Sequence, residues 1–572
     1  MRVARVRLQR FRGYEDAEFL LDGSTVFAGE PRAGRTDLVE ALRRVLDPRS
    51  TSGRVNPLDL HRPLPADPSV LTEVEVTLLG LGADLTSLLS EYLEPLDPDS
   101  GLPATPDRAT SAELGVRMCY RARYDPDSDT GEHWVDCPGL SDVDAGLVRR
   151  VRRSDREALP VRFIEAQPPL QVRAEGVFRR LLADDDAPAL ETALDQLADD
   201  VTAATGAFSR SAVVSAGISE VLTAGPDVLL GLDNPDDVTF VPDDGSLAGL
   251  LRALQPAAVL DSAGPLPLNS HGSTARGVLA VAESIAAARR EQGGLVVIGD
   301  DFGDGLDAPS AEHAALTLRQ AAEQTILTTR RPDVLRAFEA EQLVRLTRSH
   351  GTRQQHRLVK VDRAGRLTRI LVLDRLVAAI TSRTVVLVEG PFDVEGYGTL
   401  ATRLAHKSAG TKYSFAAHGI RLVSPPGSDG GITRLPAMAR VAKELGFHVK
   451  AIADRDRPGD LDPMVIELIG EAEAVVILPA RCAVEAALVR GLPMAKVREA
   501  VDLLVASGEL ASLPAMPDAN LADHLINDKV IKNSRLHAAW ARAVTMPPPI
   551  ATAAIELICS DATGQIDVPE AP

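Results

Sequence analysis

From Thr384 onward the chain repeats one pattern: a short strand-like run, in two cases continuously apolar, followed by a segment with helical spacing. The runs fall at 384–388, 420–424, 448–453 and 474–478. Unbroken apolar runs belong to strands covered on both faces, and strands separated by helices pair in parallel. Two of these strands end in acids. Thr384-Val385-Val386-Leu387-Val388 runs into Glu389-Gly390, with Asp393 where the next helix begins. Val449 to Ala453 runs into Asp454-Arg455-Asp456. In a parallel sheet the C-terminal strand ends share one edge, so these carboxylates are expected to converge there. Hard oxygen ligands in that number suit Mg²⁺ or Mn²⁺. One acid at a strand end is more often a solvated surface group; two such ends favour a site.

The earlier part of the chain reads as a second α/β unit. Val3 to Phe11 is a half-exposed strand, with Val6 and Leu8 on one face and Arg5, Arg7 and Gln9 on the other. Ser24 to Ala28 is a strand, and Leu38, Leu42 and Val45 mark a helix. Leu71 to Leu79 alternates again, and Tyr124 to Asp136 reads as a hairpin around DPDSDTG. Residues 81–112 read as a loose excursion, and the Ala-rich stretch from Leu181 to Leu222 as helices. Gly294 to Ile298 and Thr325 to Thr328 are further strands, and 349–368 is a polar linker.

A glycine loop joins the second strand to the first helix: Gly29-Glu30-Pro31-Arg32-Ala33-Gly34-Arg35-Thr36. It has the spacing of a phosphate-binding loop, G-x-x-x-x-G-K-[ST], in which backbone N–H groups and a helix N-terminus hold phosphate and Thr36 would reach Mg²⁺. An ordinary glycine turn is the competing reading. The lysine position holds Arg35, and a planar guanidinium does not replace a compact ammonium. Leu295 to Ile298 leads into Gly299-Asp300-Asp301, a strand end that can offer one acid to Mg²⁺ and the next to an attacking water. Asn269-Ser270-His271-Gly272-Ser273-Thr274 precedes a helical pattern; Ser273 there is either a helix cap or a phosphate contact.

The order FRGYED, GEPRAGRT, NSHGST, GDDFGD and TTRRP resembles the ATPase domain of the SMC- and recombination-factor-like ABC proteins, and in particular the overcoming-lysogenization-defect (OLD) nucleases. The run LVEGPFD, HGI, IADRDRPGD resembles the TOPRIM fold of the same nucleases, and the whole is similar to the nuclease subunit of Gabija defence systems. The resemblance implies an α/β chain in two parts. Residues 1–365 would be an ABC-type ATP-binding domain with a helical, dimerising insertion near 175–225, and 366–572 a smaller Rossmann-like TOPRIM domain. It implies ATP contacts from Gly29, Gly34, Arg35, Thr36, Asp300, Asp301 and Ser273. Asp301 stands for the water-orienting glutamate and Arg330 for the switch histidine, so hydrolysis is weakened. Glu389, Asp393, Asp454, Asp456 and Glu485 would hold Mg²⁺ or Mn²⁺, and Lys532, with Lys529 as a rival, would neutralise phosphate charge. The implied function is a metal-dependent DNA endonuclease governed by nucleotide, in phage defence or DNA repair. The implied partners are DNA, a second copy or higher homo-oligomer, and a helicase-like or other defence protein. The alternative is a non-hydrolysing DNA or nucleotide sensor acting through a partner.

Composition removes other classes. The net charge is −19, so nucleic acid must meet a local basic surface or bound cations rather than bulk charge. From Leu371 onward, 20 basic and 24 acidic residues leave only −4 of that total, so the second part is the better polyanion partner. Cys119, Cys137, Cys482 and Cys559 form no C-x-x-C pair, which argues against a zinc module and with it a primase. With no apolar run of membrane-spanning length, no membrane is expected and a cytoplasmic location is.

Overall fold

The computed structural model describes residues 1–65, 67, 69–164, 196, 200, 203–224, 234–241, 255–259, 264–267, 270, 272, 274, 277–278, 281–282, 285, 294–349, 351–358, 373–407, 411–426, 431–455, 459–514 and 516–570. The chain is α/β and divides into two compact units. The first holds Met1–Ala28, Arg32–Leu343 and Arg348–Arg353; the second holds Gly29–Pro31, Val344–Thr347 and Gln354–Pro572.

In the first unit, β1 (Arg2–Phe11) lies between β2 (Tyr14–Leu20) and β4 (Thr72–Leu79), antiparallel to both. The sheet continues through β6 (Glu113–Asp125) to β5 (Glu94–Leu96), with β7 (Thr130–Asp136) closing the expected hairpin on β6. Val6 and Leu8 are buried as the alternation predicts, but so is Arg5, placed on the exposed face by pattern alone. It is 2% exposed because Glu18 on β2 and Glu75 on β4 both pair with its guanidinium. The expected loose excursion at 81–112 holds β5, a short helix at Ala83–Leu88 and two 3₁₀ turns.

A second, parallel sheet runs β8 (Val161–Ile164), β9 (Val296–Gly299), β10 (Gln324–Thr328), β3 (Thr25–Gly29). Helix α1 (Arg35–Leu46) follows β3 and buries Leu38, Val39, Ala41, Leu42, Val45 and Leu46 along one stripe. Burying each large side chain contributes about 1.5–3 kcal/mol before entropy is set against it. Gln324 joins the two sheets: its amide accepts from Val3 N–H at 2.8 Å and donates to Val3 O at 2.9 Å. Of the expected helical stretch at 181–222, residues 203–209 and Ala212–Ala224 are helical, and much of the rest lies outside the described residues. The expected linker is partly strand: Leu343–Ser349 and Thr352–Arg357 are both extended, and 359–372 lie outside the described residues.

The second unit carries a parallel sheet in the order β12–β11–β13–β14–β15, where β11 is Thr384–Leu387, β12 Ile420–Val423, β13 His448–Ala453, β14 Ala474–Ile477 and β15 Gly564–Asp567. All four residues of β11 and of β14 are buried, as continuous apolar runs require. β15, too polar to stand out in the sequence, adds the edge. Helices α2 (Pro391–Lys407), α3 (Val484–Val489) and α4 (His537–Ala543) pack around Leu400, Leu488 and Trp540. No helix among the described residues is long and apolar enough to cross a membrane.

Candidate active sites at two strand edges

The glycine loop has the backbone its sequence demands. Gly29 and Gly34 take φ of 129° and 99°, which glycine alone adopts easily, and Gly34 is the residue from which α1 starts. Tyr14 of the FRGY text braces the loop from behind, its hydroxyl donating to Gly34 O at 3.1 Å. The Arg353 guanidinium lies 4.5 Å over the Tyr14 ring, and a Cβ on Gly34 would strike both side chains. Thr36 is exposed in the first helical turn.

Across the loop, Asp301 adopts a φ of 42°, a conformation that non-glycine residues rarely hold. Its N–H donates to Thr328 Oγ1 at 2.8 Å, and Thr328 in turn donates to Asp300 Oδ1 at 2.6 Å. Asp301 stands 3.9 Å from Arg35 and 3.6 Å from Arg330. Arg330 also pairs with Asp304. Burial raises the Asp301 pKa, with Asp300 adding to the rise, while Arg330 and Arg35 oppose it. Arg35 and Arg330 therefore both face the Asp301 carboxylate. Ser273 lies outside the described residues; its neighbour Thr274 donates to Gly305 O at 2.6 Å.

In the second unit β11 and β13 are adjacent and in register, Leu387 opposite Ala451. Glu389 and Asp454 thus leave the same sheet edge, and the Asp454 N–H donates to Glu389 Oε1 at 3.2 Å. Asp393, in the first turn of α2, accepts from Gly390 N–H at 2.7 Å. It is 6% exposed, and its pKa is pushed up to about 7, mainly by burial, with Glu389 and Glu485 adding negative charge. Glu485 comes from the start of α3 and is equally buried. Burial would raise its pKa, but His537 and Lys532 bring it below the ordinary value. Lys532 Nζ lies 3.9 Å from Glu485 Oε1. Asp456 lies outside the described residues.

One functional side chain carried no sequence signal. His537, fully buried at the start of α4, meets Glu485 Oε1 through Nε2 at 3.2 Å and stacks on Phe392 with ring centroids 4.8 Å apart. Being 52 residues from Glu485, it belongs to no local motif.

Among the described residues no group of three or more His, Cys, Asp or Glu is close enough to hold one metal ion. The expected set at Glu389, Asp393, Asp454 and Glu485 is therefore gathered around one edge without closing as a cage. Its chemistry suits a hard cation all the same. The donors are carboxylates, Asp393 is held largely protonated below about 7 in the absence of a cation, and two buried polar atoms beside them, Tyr397 Oη and His537 Nδ1, have no hydrogen-bond partner. Tyr397 is 1% exposed with its hydroxyl pKa raised well above the ordinary value, which removes it as a nucleophile.

No family model matches the chain, and no curated protein matches it. Solved structures similar to it include SMC head domains. One is an SMC head bound to the C-terminal winged-helix domain of ScpA, at 14% identity and TM-score 0.35, covering 63% of this chain and 98% of that one. Others are a Pyrococcus furiosus SMC head with an extended coiled coil, bound to the C-terminal domain of ScpA (14% identity, TM-score 0.33, covering 62% of this chain and 96% of that one), and the Thermotoga maritima SMC head (11%, 0.30, covering 63% and 100%). At these scores the likeness carries no assignment.

Proposed function

We propose that the second unit hydrolyses phosphodiester bonds in DNA with Mg²⁺ or Mn²⁺, and that nucleotide binding at the glycine loop governs it. One observation carries this reading: the pairing of β11 with β13 brings Glu389 and Asp454 to one sheet edge, where buried Asp393 has its pKa pushed up to about 7. Carboxylates crowded to that degree are relieved by a proton or by a divalent cation, and near neutral pH a cation competes well. Glu389, Asp393, Asp454 and Glu485 would hold it, together with Asp456. When bound, the cation supplies an activated water and stabilises the leaving oxygen. The chain's own residues do the rest. Lys532, 3.9 Å from Glu485, offsets charge that develops on the phosphate. His537 fixes the Glu485 carboxylate, and the hydrogen bond from Asp454 N–H orients Glu389. Attack by water forms one P–O bond, breaks another and leaves the departing oxygen protonated.

At the first unit, nucleotide binding with slow turnover is supported by the ion pairs that occupy Asp301. The test is cleavage of DNA across Mg²⁺ and Mn²⁺, with and without ATP. Wild type should cut, and Glu389→Ala and Asp454→Ala should each lose at least about a hundredfold in rate while folding persists. Alanine variants that cut as well as wild type would sink the assignment. A non-hydrolysing sensor is the second reading, favoured by the open arrangement of the described acids; it requires Mn²⁺ and ATP to bind calorimetrically with no cleavage by any metal.

A further inference from the structure

The second unit holds a basic groove at the end of α2 away from its acids. The groove has a volume of about 510 Å³ and is lined by Gly398, Thr399, Thr402, Arg403, His406, Lys407 and Arg542. Among the described residues no acid lines it, in a chain whose net charge is −19. Thr402, His406, Lys407 and Arg542 are exposed. The cations are held in place rather than trailing in solvent. Arg403 donates to Ala541 O at 2.8 Å, Lys407 to Thr545 O at 3.5 Å, and Arg542 pairs with Glu509 at 3.4 Å. Each contact takes one direction of a multi-donor group, since guanidinium has five N–H donors and ammonium three.

The groove follows from how α2 lies against α4. At one end Phe392 stacks on His537; further along, Arg403 meets Ala541 and Lys407 meets Thr545. The two helices therefore run in the same direction, from the acid edge toward the basic end. Asp393 and Arg403 share α2, separated by a rise of about 15 Å. Thr399, Arg403 and Lys407 recur at four-residue spacing, each step rising about 6 Å, the scale of successive phosphates on a nucleic-acid strand.

We propose that this groove binds the phosphate backbone of duplex DNA and sets the distance between the gripped stretch and the acid edge. The proposal rests on the nuclease reading and names the surface that reading lacks. Among the described residues no Phe, Tyr or Trp lines the groove, and so none offers a stacking platform for the bases of a single strand. Arginine and lysine are donors that contact phosphate without reading sequence, whereas the Thr402 hydroxyl is already given to Gly398 O at 2.8 Å.

The test is binding of a labelled 30-base-pair duplex to the full chain in chelator, over a series of salt concentrations. The double variant Lys407→Glu, Arg542→Glu changes two exposed side chains; the neutral pair Lys407→Gln, Arg542→Gln guards against misfolding by charge reversal. Both should weaken binding by about tenfold or more near 0.1 M salt. The slope of log affinity against log salt should become shallower by about 2, as two lost phosphate contacts require. Mn²⁺ binding should not change. Unchanged duplex affinity and slope in both variants overturn the proposal, even if tripolyphosphate binding falls. Wild type that binds duplex with this slope but never cuts it removes the nuclease reading and leaves the groove standing. Wild type that binds no duplex removes the groove.

Discussion

Both units end parallel strands in carboxylates, and they treat the resulting charge in opposite ways. In the first, Asp301 lies within 3.9 Å of Arg35 and 3.6 Å of Arg330, and Asp304 pairs with Arg330. In the second, Glu389, Asp393, Asp454 and Glu485 are set against Lys532 and His537, both of which meet Glu485. The first edge meets the protein's own arginines, and burial still leaves the Asp301 pKa raised. At the second, buried Asp393 takes up a proton, with its pKa at about 7. The same local grammar, an apolar strand ending in acid, thus gives an acid set between two arginines in one place and a cluster of buried acids in the other. The difference lies in which side chains arrive from elsewhere in the chain.

The largest effect that would break this contrast concerns pH. The Asp393 pKa is raised from 3.8 to about 7 in the folded chain, against about 3.9 unfolded, so the folded state holds its proton more tightly. Its contribution to stability is whole below about pH 4 and is lost as pH rises through about 7; the full swing is at most about 4 kcal/mol. In chelator, Asp393→Asn should therefore gain on wild type by about 2–3 kcal/mol between pH 5 and pH 8, read by urea unfolding at each pH. Saturating Mn²⁺ should close the gap by stabilising wild type alone. A difference between the two proteins that stays flat with pH would show that the second edge is as well compensated as the first.

A smaller change sharpens the contrast at a single contact. His537→Leu keeps a buried apolar body against Phe392 and removes the group that meets Glu485. Partners that orient a ligand are commonly worth 10–100-fold in metal affinity. Calorimetry should show Mn²⁺ affinity falling by about that factor, recovering in part with His537→Gln, and unaffected by His537→Leu once Glu485→Gln is present. Equal losses in both backgrounds would mean that His537 only fills space.

How much of this was legible in the sequence follows from the range of each interaction. Two strands of the second unit, β11 and β14, could be read because a strand covered on both faces must be apolar throughout. The convergence of Glu389 with Asp454 followed from parallel pairing alone. The glycine loop was legible because a positive φ at Gly29 and Gly34 restricts residue type. What stayed hidden depended on distant partners. Arg5 looked exposed by alternation and is buried because two neighbouring strands each supply a glutamate. His537 has no motif, since what defines it is a contact 52 residues away. β15 is polar and short, and is a strand only because Ile477 and its neighbours offer an open edge. The setting of Asp301 was half visible: Arg35 and Arg330 stood out as departures from the resembled pattern, but only coordinates place both on the same carboxylate.

That last point gives the smallest test, and it bears on whether the first edge is quenched by its arginines or merely lacks the right residues. Arg35 is partly buried, which lowers its pKa, while Asp301 holds it in place. Lysine at this position would offer a compact ammonium that reaches into the loop and no fork to rest on Asp301. Asp301 would then keep one cationic neighbour, Arg330, instead of two. If occupation of Asp301 limits turnover, Arg35→Lys should raise ATP hydrolysis by about three- to tenfold, on the order of 1 kcal/mol in the barrier, with nucleotide affinity changed little. Phosphate release and nucleotide titration measure the two quantities separately. A gain in affinity with no gain in rate would place the deficit in Asp301 itself, one methylene shorter than a glutamate, and the first edge would be silent through reach rather than through charge.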